Sequence, residues 1–495
     1  MTRMRCTQRV VLLAALLAPL CAQAAAAPPC GSLKLPRAIT GEILQQQARE
    51  KGEFQPENAS AAIVENLPAF CRVVAVLRPV PQSRIRIEVW LPRDWNGKYL
   101  GVGNGGFSGS ISYGALADGI RRGYATASTD TGHEGASGRF ALGQPQKVID
   151  FGYRAVHEMT TVARQLVRDF YAHPAQRAYW VGCSAGGRQG LQSAQRYPED
   201  YDGIVAGAPA LDWTGRASSA LRVAQEVRAR PDGFLDARAM TLLHQAALAA
   251  CDAADGLSDG VIESPQRCQF NPQVAQLSAA QVETARAIYD SPVNSTTGRA
   301  ITGLYPGSEM GWATWGGRAP FATAIDHFRY LVYGNPDWSL QQFRFDRDAA
   351  RAETQDNGII NALNPDLTRF FQRGGKLLQY HGWSDPQISP GVSPQYYESV
   401  ARRIGDLERV EQSYRLFMVP GMAHCAGGDG AGSFDMVSAL ERWVERGVAP
   451  SEIIAQRQRD GVVDRTRRLC AWPRAARYDG TGDPNVASSF RCETP

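Results

Sequence analysis

The chain has 495 residues, of which 44% are hydrophobic and 21% are charged, a composition typical of a globular protein and not of a disordered or fibrous one. Its 53 Lys and Arg against 49 Asp and Glu include no basic run or acidic tail, which disfavours nucleic acid as a partner. The length favours a core domain that carries a large insertion.

Residues 1–24 have the pattern of a secretory signal peptide. Three arginines up to Arg9 precede an apolar run from Val10 to Leu20, and residues 22–24 form a small-x-small cleavage site. The apolar run is too short for a membrane span, which needs about 20 residues. We therefore expect a secreted or periplasmic protein that has no membrane segment.

Removal of residues 1–24 leaves eight cysteines, and an even number favours disulfide bonds in an exported protein. These residues are Cys30, Cys71, Cys183, Cys251, Cys268, Cys425, Cys470 and Cys492. The sequence leaves their connectivity open, but proximity along the chain suggests Cys251–Cys268 and Cys470–Cys492 as local loops.

Residues 25–211 predict the first part of an α/β core. Apolar residues at helical spacing predict a helix over residues 151–171 and another from about Arg188, and short apolar runs predict the strands between. The predicted strands are residues 73–77, 85–91, 99–102, 124–128, 178–181 and 203–207. Strands that alternate with helices favour a largely parallel sheet covered on both faces.

This alternation is interrupted over residues 212–355, which are helical, irregular and rich in Trp, Gly and Pro. Residues 356–495 predict the second part of the core, with strands over 376–382 and 414–420 and a helix over about 434–446. The interruption predicts that residues 212–355 form an inserted lid domain.

Residues Gly182-Cys183-Ser184-Ala185-Gly186 match the G-x-S-x-G motif, with a predicted strand before them and a predicted helix after them. The glycines permit the strained turn that exposes the serine hydroxyl of α/β-hydrolases. A glycine-rich turn with a solvated serine is the alternative. The strand and helix favour an α/β-hydrolase fold with Ser184 as the nucleophile.

A serine nucleophile needs a histidine base and an acid that orients the base, and in α/β-hydrolases both follow the serine in the chain. Of the seven histidines, His424 lies in a loop after the last predicted strand, and Asp385 follows the strand before that one. We therefore predict a triad of Ser184, Asp385 and His424. His381 is interpreted as a strand-end residue packed near the site.

An oxyanion hole needs backbone N–H groups directed at the developing charge. Ala185 is expected to supply one, because it follows the nucleophile. The loop Gly103-Asn104-Gly105-Gly106 follows an early predicted strand, and we predict that Gly106 supplies the other. An ordinary glycine turn is the alternative.

Cys183 directly precedes the predicted nucleophile, and Cys425 directly follows the predicted base. If the side chains of Ser184 and His424 form a hydrogen bond, the two cysteines must lie within disulfide distance. We therefore predict a Cys183–Cys425 bridge, which leaves Cys30 and Cys71 as the remaining pair. A non-catalytic secreted module that binds calcium or glycans gives no reason for this arrangement.

Residues 251–261 present three carboxylates inside a predicted disulfide loop. Hard cations such as Ca²⁺ prefer several oxygen ligands, and the spacing here is not that of an EF-hand. The five predicted ligands are Asp252, Asp255 and Asp259 with the backbone carbonyls of Leu257 and Val261. A solvated acidic turn is an equal alternative on chemistry alone, and a bound ion would be structural.

Together these residues resemble the tannase and feruloyl esterase family, which also includes bacterial hydrolases of terephthalate monoesters. The resemblance covers nearly all of the mature chain and depends on residues 182–186, on His424-Cys425 and on the acidic loop at residues 251–259. It implies a disulfide between the cysteines flanking Ser184 and His424, calcium as a structural cofactor, and a lid that holds an aromatic acid. The implied partner is a small aromatic ester.

The chain also departs from the terephthalate monoester hydrolases. Residues Gly311–Gly316 resemble their carboxylate-binding loop, but Ala313 stands where an arginine would bind the carboxylate and Ile388 where an aromatic residue would cover the ring. The departures favour hydroxycinnamate esters first and gallate esters second. Trp312 and Trp315 are the predicted ring-stacking side chains, with a place in the lid core as the alternative.

Overall fold

The computed structural model describes residues 30–56 and 62–494. The predicted signal peptide at residues 1–24 therefore lies outside the described residues. Among the residues described, no helix is both long enough and apolar enough to cross a membrane.

In the described chain, strands and helices alternate along residues 98–207 and again along residues 376–446. Its strands are β1 (Gly41–Arg49), β2 (Gly52–Phe54), β3 (Val64–Leu67), β4 (Phe70–Leu77), β5 (Ile85–Pro92), β6 (Lys98–Val102), β7 (Ala125–Thr129), β8 (Arg177–Cys183), β9 (Gly203–Gly207), β10 (Lys376–Gly382), β11 (Tyr414–Val419), β12 (Glu452–Arg459), β13 (Val462–Cys470), β14 (Ala475–Tyr478) and β15 (Phe490–Glu493). Its α-helices are α1 (Tyr113–Arg121), α2 (Pro145–Ile149), α3 (Ala155–Tyr171), α4 (Ala185–Arg196), α5 (Trp213–Ala229), α6 (Ala237–Cys251), α7 (Ala279–Tyr289), α8 (Ala313–Gly316), α9 (Ala322–Asp326), α10 (Phe345–Asp356), α11 (Thr368–Gln372), α12 (Val392–Ile404), α13 (Leu407–Glu411) and α14 (Met436–Arg446).

The central sheet has nine strands in the order β1-β4-β5-β7-β6-β8-β9-β10-β11. The pairs from β1 to β7 are antiparallel, and those from β7 through β6 to β11 are parallel. The carboxyl ends of β6, β8, β10 and β11 therefore lie at one edge of the sheet. This arrangement is the α/β-hydrolase fold that the sequence predicts.

Both faces of the sheet are covered by hydrophobic residues. Successive side chains of a strand point to opposite faces, and in β8 Trp180 joins the cluster that contains α3, α4 and α12, whereas Tyr179 joins the cluster that contains α1 and α14. Both side chains are fully buried. The burial of residues 178–180 in β8 and of all of β9 explains why these stretches are apolar runs without alternation.

The chain leaves the central sheet between β9 and β10. Residues 213–356, from the start of α5 to the end of α10, are called the insertion below. They have a hydrophobic cluster of their own, which includes Leu221, Leu243, Ile288, Trp312 and Phe328. A separate cluster is typical of a segment that folds as its own layer. The predicted limits of a lid domain, residues 212–355, stay a prediction.

Several elements of the fold lie outside the predicted ones, among them β1 and the strands after α14. β1 pairs with β4 at the edge of the sheet, and two antiparallel hairpins, β12–β13 and β14–β15, follow α14. Ile453, Ala455 and Leu469 of the first hairpin pack against the sheet face that carries α14. In addition, α4 begins at Ala185 and not near Arg188.

Four disulfides join these eight cysteines in the four pairs that the sequence predicts. The Cα–Cα distances are 5.5 Å for Cys30–Cys71, 6.0 Å for Cys183–Cys425, 5.6 Å for Cys251–Cys268 and 5.6 Å for Cys470–Cys492. The Cys183–Cys425 bridge spans 242 positions of the sequence and joins the last residue of β8 to the loop after β11.

Candidate active site

Ser184 lies in a sharp turn between β8, which ends directly before it, and α4, which begins directly after it. Its φ of 61° and ψ of −122° are rare for a residue other than glycine. Its N–H donates to the carbonyl of Gly207 in β9 at 2.9 Å, and its carbonyl accepts from the N–H of Arg188 at 3.0 Å. The backbone thus holds Ser184 in a strained conformation of the kind found at functional sites.

Glycines let α4 pass close to the strands beside this turn. A Cβ on Gly182 would lie 2.5 Å from the carbonyl carbon of Gly186, and a Cβ on Gly187 would lie 2.4 Å from the carbonyl oxygen of Gly207. Both distances are shorter than side chains tolerate, so the two positions require glycine. The first glycine of the motif and the glycine directly after the motif are therefore required by the contact between helix and strand.

Asp385 follows β10 and its carboxylate is fully buried. Its Oδ1 accepts the N–H groups of Gln387 at 2.7 Å and Ile388 at 3.0 Å, and its Oδ2 accepts from His424 Nδ1 at 2.7 Å and His381 Nε2 at 3.2 Å. Burial by itself would raise the pKa of this carboxyl, but the hydrogen bonds from the two imidazoles hold the pKa well below its usual range. Asp385 is therefore a charged acceptor.

His424 lies in the loop after β11, and its side chain is 13% exposed. Because Nδ1 is bonded to Asp385, Nε2 is the ring nitrogen left for proton transfer. Within the described residues, Ser184 and His424 share no hydrogen bond. Their neighbours Cys183 and Cys425 are joined by a disulfide, which keeps the two residues close together. A hydrogen bond between a catalytic serine and histidine is often longer before the substrate binds than during the reaction.

The loop after β6 is held by α4, the helix that follows Ser184. Gln189 of α4 accepts the N–H of Asn104 at 3.1 Å and donates its amide to Asn104 Oδ1 at 3.2 Å. Asn104 Nδ2 in turn donates to the carbonyls of Ser110 and Thr129, both at 2.8 Å. The role of Gln189 could not be found from the sequence, because its burial and its contact with the loop after β6 depend on the fold.

The two predicted oxyanion donors lie on this framework. Ala185 is the first residue of α4, whose N–H has no acceptor within the helix. Gly106 has a φ of 51°, a left-handed conformation that favours glycine. Their role toward an oxyanion stays a prediction.

The insertion contacts the segment that follows Asp385. Trp315 Nε1 donates to the carbonyl of Pro386 at 2.6 Å, and Arg216 Nε donates to the carbonyl of Gln387 at 2.7 Å. The Arg216 guanidinium also lies 4.1 Å from the centre of the Phe321 ring. Sequence analysis did not identify Arg216, because a single arginine on a helix carries no pattern.

Two of the three predicted ring-binding residues share a small cavity, and the third lies in the core of the insertion. Trp312 is fully buried in the core of the insertion, and its Nε1 donates to Ser308 Oγ at 3.0 Å. Trp315 and Ile388 line a common cavity of about 10 Å³, which holds no more than a water-sized group. Their assignment as substrate-binding residues stays a prediction, and Trp312 has the contacts of a core residue.

The acidic loop at residues 252–261 follows α6 and is closed by the Cys251–Cys268 disulfide. Asp252 accepts the N–H groups of Asp259 at 3.1 Å and Gly260 at 2.9 Å, and Asp255 accepts the N–H of Leu257 at 3.0 Å. Across residues 30–56 and 62–494, no group of three or more His, Cys, Asp or Glu side chains is arranged to hold a metal ion.

Asp259 differs from the other two carboxylates of this loop. It forms ion pairs with Arg465 and Arg467 of β13, and its carbonyl accepts from Arg465 at 2.8 Å. The oxygen ligands fit a hard cation in kind. A cation that used Asp259 would have to share it with these arginines.

Comparison with known proteins relates this geometry to a family. The model of the family described as tannase and feruloyl esterase matches residues 71–493. An esterase of Xanthomonas campestris pv. campestris is 37% identical over 492 residues, which cover 87% of this chain and 85% of that protein. A protein named as a probable feruloyl esterase B-2 from Aspergillus fumigatus is 35% identical over 456 residues, 86% of each chain.

Solved structures agree with this assignment. Feruloyl esterase B from Aspergillus oryzae superposes with a TM-score of 0.86 at 31% identity, over 92% of this chain and 97% of that one. The tannin acyl hydrolase of Aspergillus niger superposes with a TM-score of 0.77 over 95% of this chain and 94% of that one. At 23% identity, the second likeness concerns the fold alone.

The Cys183–Cys425 bridge generates the first prediction. We expect the double change Cys183→Ala with Cys425→Ala to lower kcat on an activated ester by about tenfold to a hundredfold, with KM changed less. The reason is that a shift of about 1 Å in a reacting group can cost on the order of a hundredfold in rate. Loss of so long a loop closure should also lower stability, by about 3–5 kcal/mol in the chain-entropy account.

The matched control is Cys470→Ala with Cys492→Ala, which removes a disulfide between β13 and β15. This control should lower Tm and leave kcat within about twofold. Equal losses of kcat in the two double variants would contradict a local role for the Cys183–Cys425 bridge.

Proposed function

The chain belongs to the tannase and feruloyl esterase family and is a carboxylic ester hydrolase, and we propose that it cleaves esters of aromatic acids through a Ser184–His424–Asp385 triad. The observation that carries the proposal is the 2.7 Å hydrogen bond between His424 Nδ1 and the buried carboxylate of Asp385. A disulfide joins the residue after His424 to the residue before Ser184. An acid, a base and a strained serine turn thus occupy one edge of the sheet.

The proposed reaction proceeds through an acyl-enzyme. His424 Nε2 accepts the proton of the Ser184 hydroxyl as the oxygen attacks the ester carbonyl, and the imidazolium then gives that proton to the leaving alcohol. Asp385 keeps the proton on Nδ1 and stabilises the imidazolium by its negative charge. The N–H groups of Ala185 and Gly106 stabilise the oxyanion. Water then releases the acid by the same steps, with His424 again as the base.

A nucleophile variant provides the second prediction. We expect Ser184→Ala to lower kcat/KM by at least about a thousandfold, because the members of a triad act as a unit. Tm should stay within a few degrees, since the change removes one hydroxyl. Steady-state hydrolysis of an activated ester and a thermal melt measure both quantities, and activity within tenfold of the unmodified enzyme would refute the nucleophile.

We propose hydroxycinnamate esters as the first substrate class, gallate esters as the second and terephthalate monoesters as the third. Relatives at 35% identity are named as feruloyl esterases, which supports the first. Ala313 and Ile388 supply neither a cation for a second carboxylate nor a ring to cover the terephthalate, which disfavours the third.

A substrate panel provides the third prediction. We expect kcat/KM to be highest for methyl ferulate, lower for methyl gallate and lowest for a monoester of terephthalate. The amide of ferulic acid serves as the control for peptidase activity and should be turned over far more slowly than the ester. A preference for the terephthalate monoester would reject the proposed order.

We propose that the protein acts outside the cytoplasm, in the periplasm or in the medium. Four disulfides support this, because disulfides persist in oxidising compartments. The signal-peptide pattern of residues 1–24 supports it as well. We also propose that the insertion acts as the lid over the acid, supported by its two hydrogen bonds to the segment after Asp385.

We further propose calcium as a structural cofactor of the acidic loop. The side chains of Asp252, Asp255 and Asp259 with the carbonyls of Leu257 and Val261 would hold it, and the ion would supply charge neutralisation without a part in the reaction. The kind of ligand supports the proposal, whereas the ion pairs of Asp259 with two arginines compete with it.

Chelation provides the fourth prediction. Because an ion that binds only the folded protein stabilises it, EDTA should lower Tm by several degrees and added Ca²⁺ should restore it. The variant Asp255→Asn should lose most of this response, whereas Glu134→Gln, an exposed acid outside the loop, should keep it. A Tm independent of EDTA, with no calcium found by elemental analysis, would remove the ion.

A further inference from the structure

Asp385 is contacted by a second histidine besides His424. His381 is the penultimate residue of β10 and is fully buried, and its Nε2 lies 3.2 Å from Asp385 Oδ2, the same oxygen that accepts from His424. The triad itself leaves this histidine without a role. A fully buried imidazole on the acid of a triad needs a physical explanation.

His381 is one end of a buried chain of hydrogen bonds. Its Nδ1 lies 2.7 Å from Ser393 Oγ on α12, and Gln379 Nε2 donates to that same oxygen at 2.7 Å. Tyr414 of β11 donates its hydroxyl to Gln379 Oε1 at 2.6 Å. The four side chains that form these hydrogen bonds are all inaccessible to solvent. In the described part of the protein, none of their polar atoms is left without a partner.

The acceptors around His381 determine which of its nitrogens carries the proton. Nε2 faces two acceptors, Asp385 Oδ2 at 3.2 Å and the carbonyl of Ile388 at 3.3 Å, so it must carry hydrogen. Ser393 accepts from Gln379, which leaves its own hydroxyl proton for His381 Nδ1. In the arrangement that gives every one of these groups a partner, the donors therefore point from Tyr414 toward Asp385, with hydrogen on His381 Nε2 and the Ser393 hydroxyl donated to Nδ1.

A neutral donor at this place has a chemical advantage over a cation. A cationic His381 would offset the charge of Asp385 and weaken its attraction for the imidazolium that forms on His424 during the reaction. A neutral N–H occupies one of the acceptor sites of Oδ2 and leaves the full negative charge on the carboxylate. With the two backbone N–H groups on Oδ1, Asp385 then has four donors and one orientation.

We propose that His381 is a positioning residue, which through the Ser393–Gln379–Tyr414 chain fixes the orientation of Asp385 and thereby of His424. This inference rests on the proposed triad and assigns His381 no contact with the substrate. Without His381, Oδ2 loses one of its two donors in a site that water does not reach, and the carboxylate gains freedom to rotate toward His424. The base then spends less time in line with Ser184.

The test compares two variants of similar size. His381→Leu removes both polar atoms, whereas His381→Gln can donate its amide to Asp385 and accept from Ser393. We expect His381→Leu to lower kcat by about tenfold to a hundredfold with KM within about twofold, because a shift of the base affects the transition state and not substrate binding. His381→Gln should recover most of kcat. Equal kcat losses in both variants, or a kcat within twofold for His381→Leu, overturn the proposal.

Stability is separated from positioning by a control elsewhere in the core. Tyr201→Phe removes a buried hydroxyl that is hydrogen-bonded to Thr160. Tyr201 lies before the amino end of β9, whereas Ser184 lies after the carboxyl end of β8. This control should lower Tm and leave kcat within twofold. If His381→Leu does not fold, Ser393→Ala takes its place, with an expected loss of about threefold to tenfold in kcat at unchanged KM, and an unchanged kcat overturns the proposal.

Failure of the triad itself gives a different result. If the unmodified enzyme turns over no ester, or if Ser184→Ala stays active, the proposed function is wrong and the role of His381 falls with it. If the unmodified enzyme acts through Ser184 and His381→Leu is folded and fully active, only the positioning role is lost.

Discussion

A carboxylate that water does not reach must be satisfied by the protein, because the transfer of an unpaired charge into the interior costs several kcal/mol or more. Asp385 meets this constraint with two backbone N–H groups of its own loop and two imidazoles. The two backbone donors require a tight turn directly after β10. The two imidazoles require that the end of β10 lies beside the loop after β11. The parallel pairing of β10 with β11 places them side by side. The order of strands in the sheet thus provides the donors that a buried, charged Asp385 requires.

The same turn is where the insertion meets the core. Asp385 holds the N–H groups of Gln387 and Ile388, and the insertion holds the carbonyls on the other side of the turn through Trp315 and Arg216. Because both sides of the peptide chain are occupied, a displacement of the insertion would act on the acid of the proposed triad. The insertion and Asp385 are therefore coupled through this turn, and substitutions far from Ser184 in the insertion can shift the Asp385 carboxylate.

The elements that sequence could predict are those whose side chains repeat a pattern. Residues 178–180 of β8 and all of β9 are buried and are visible as apolar runs. The pairing of Cys183 with Cys425 was predictable because each adjoins a predicted triad residue, Ser184 or His424. β1 was missed because it is an exposed edge strand with three successive glutamines and pairs on one side only. The contact of His381 with Asp385 depends on where β10 ends and on how α12 packs against it. No local sequence pattern specifies either feature.

At position 388 the backbone and the side chain have separate surroundings within the turn. The backbone N–H of Ile388 holds Asp385, and its carbonyl lies near His381, so any residue except proline can serve these two functions. Its side chain instead faces the small cavity shared with Trp315. A smaller residue there would enlarge the cavity without removing a donor from the acid, and an aromatic residue would close it. The side chain at position 388 can therefore vary without disturbing Asp385, whereas the side chain of Trp312, enclosed in the core of the insertion, cannot change without a cost in packing.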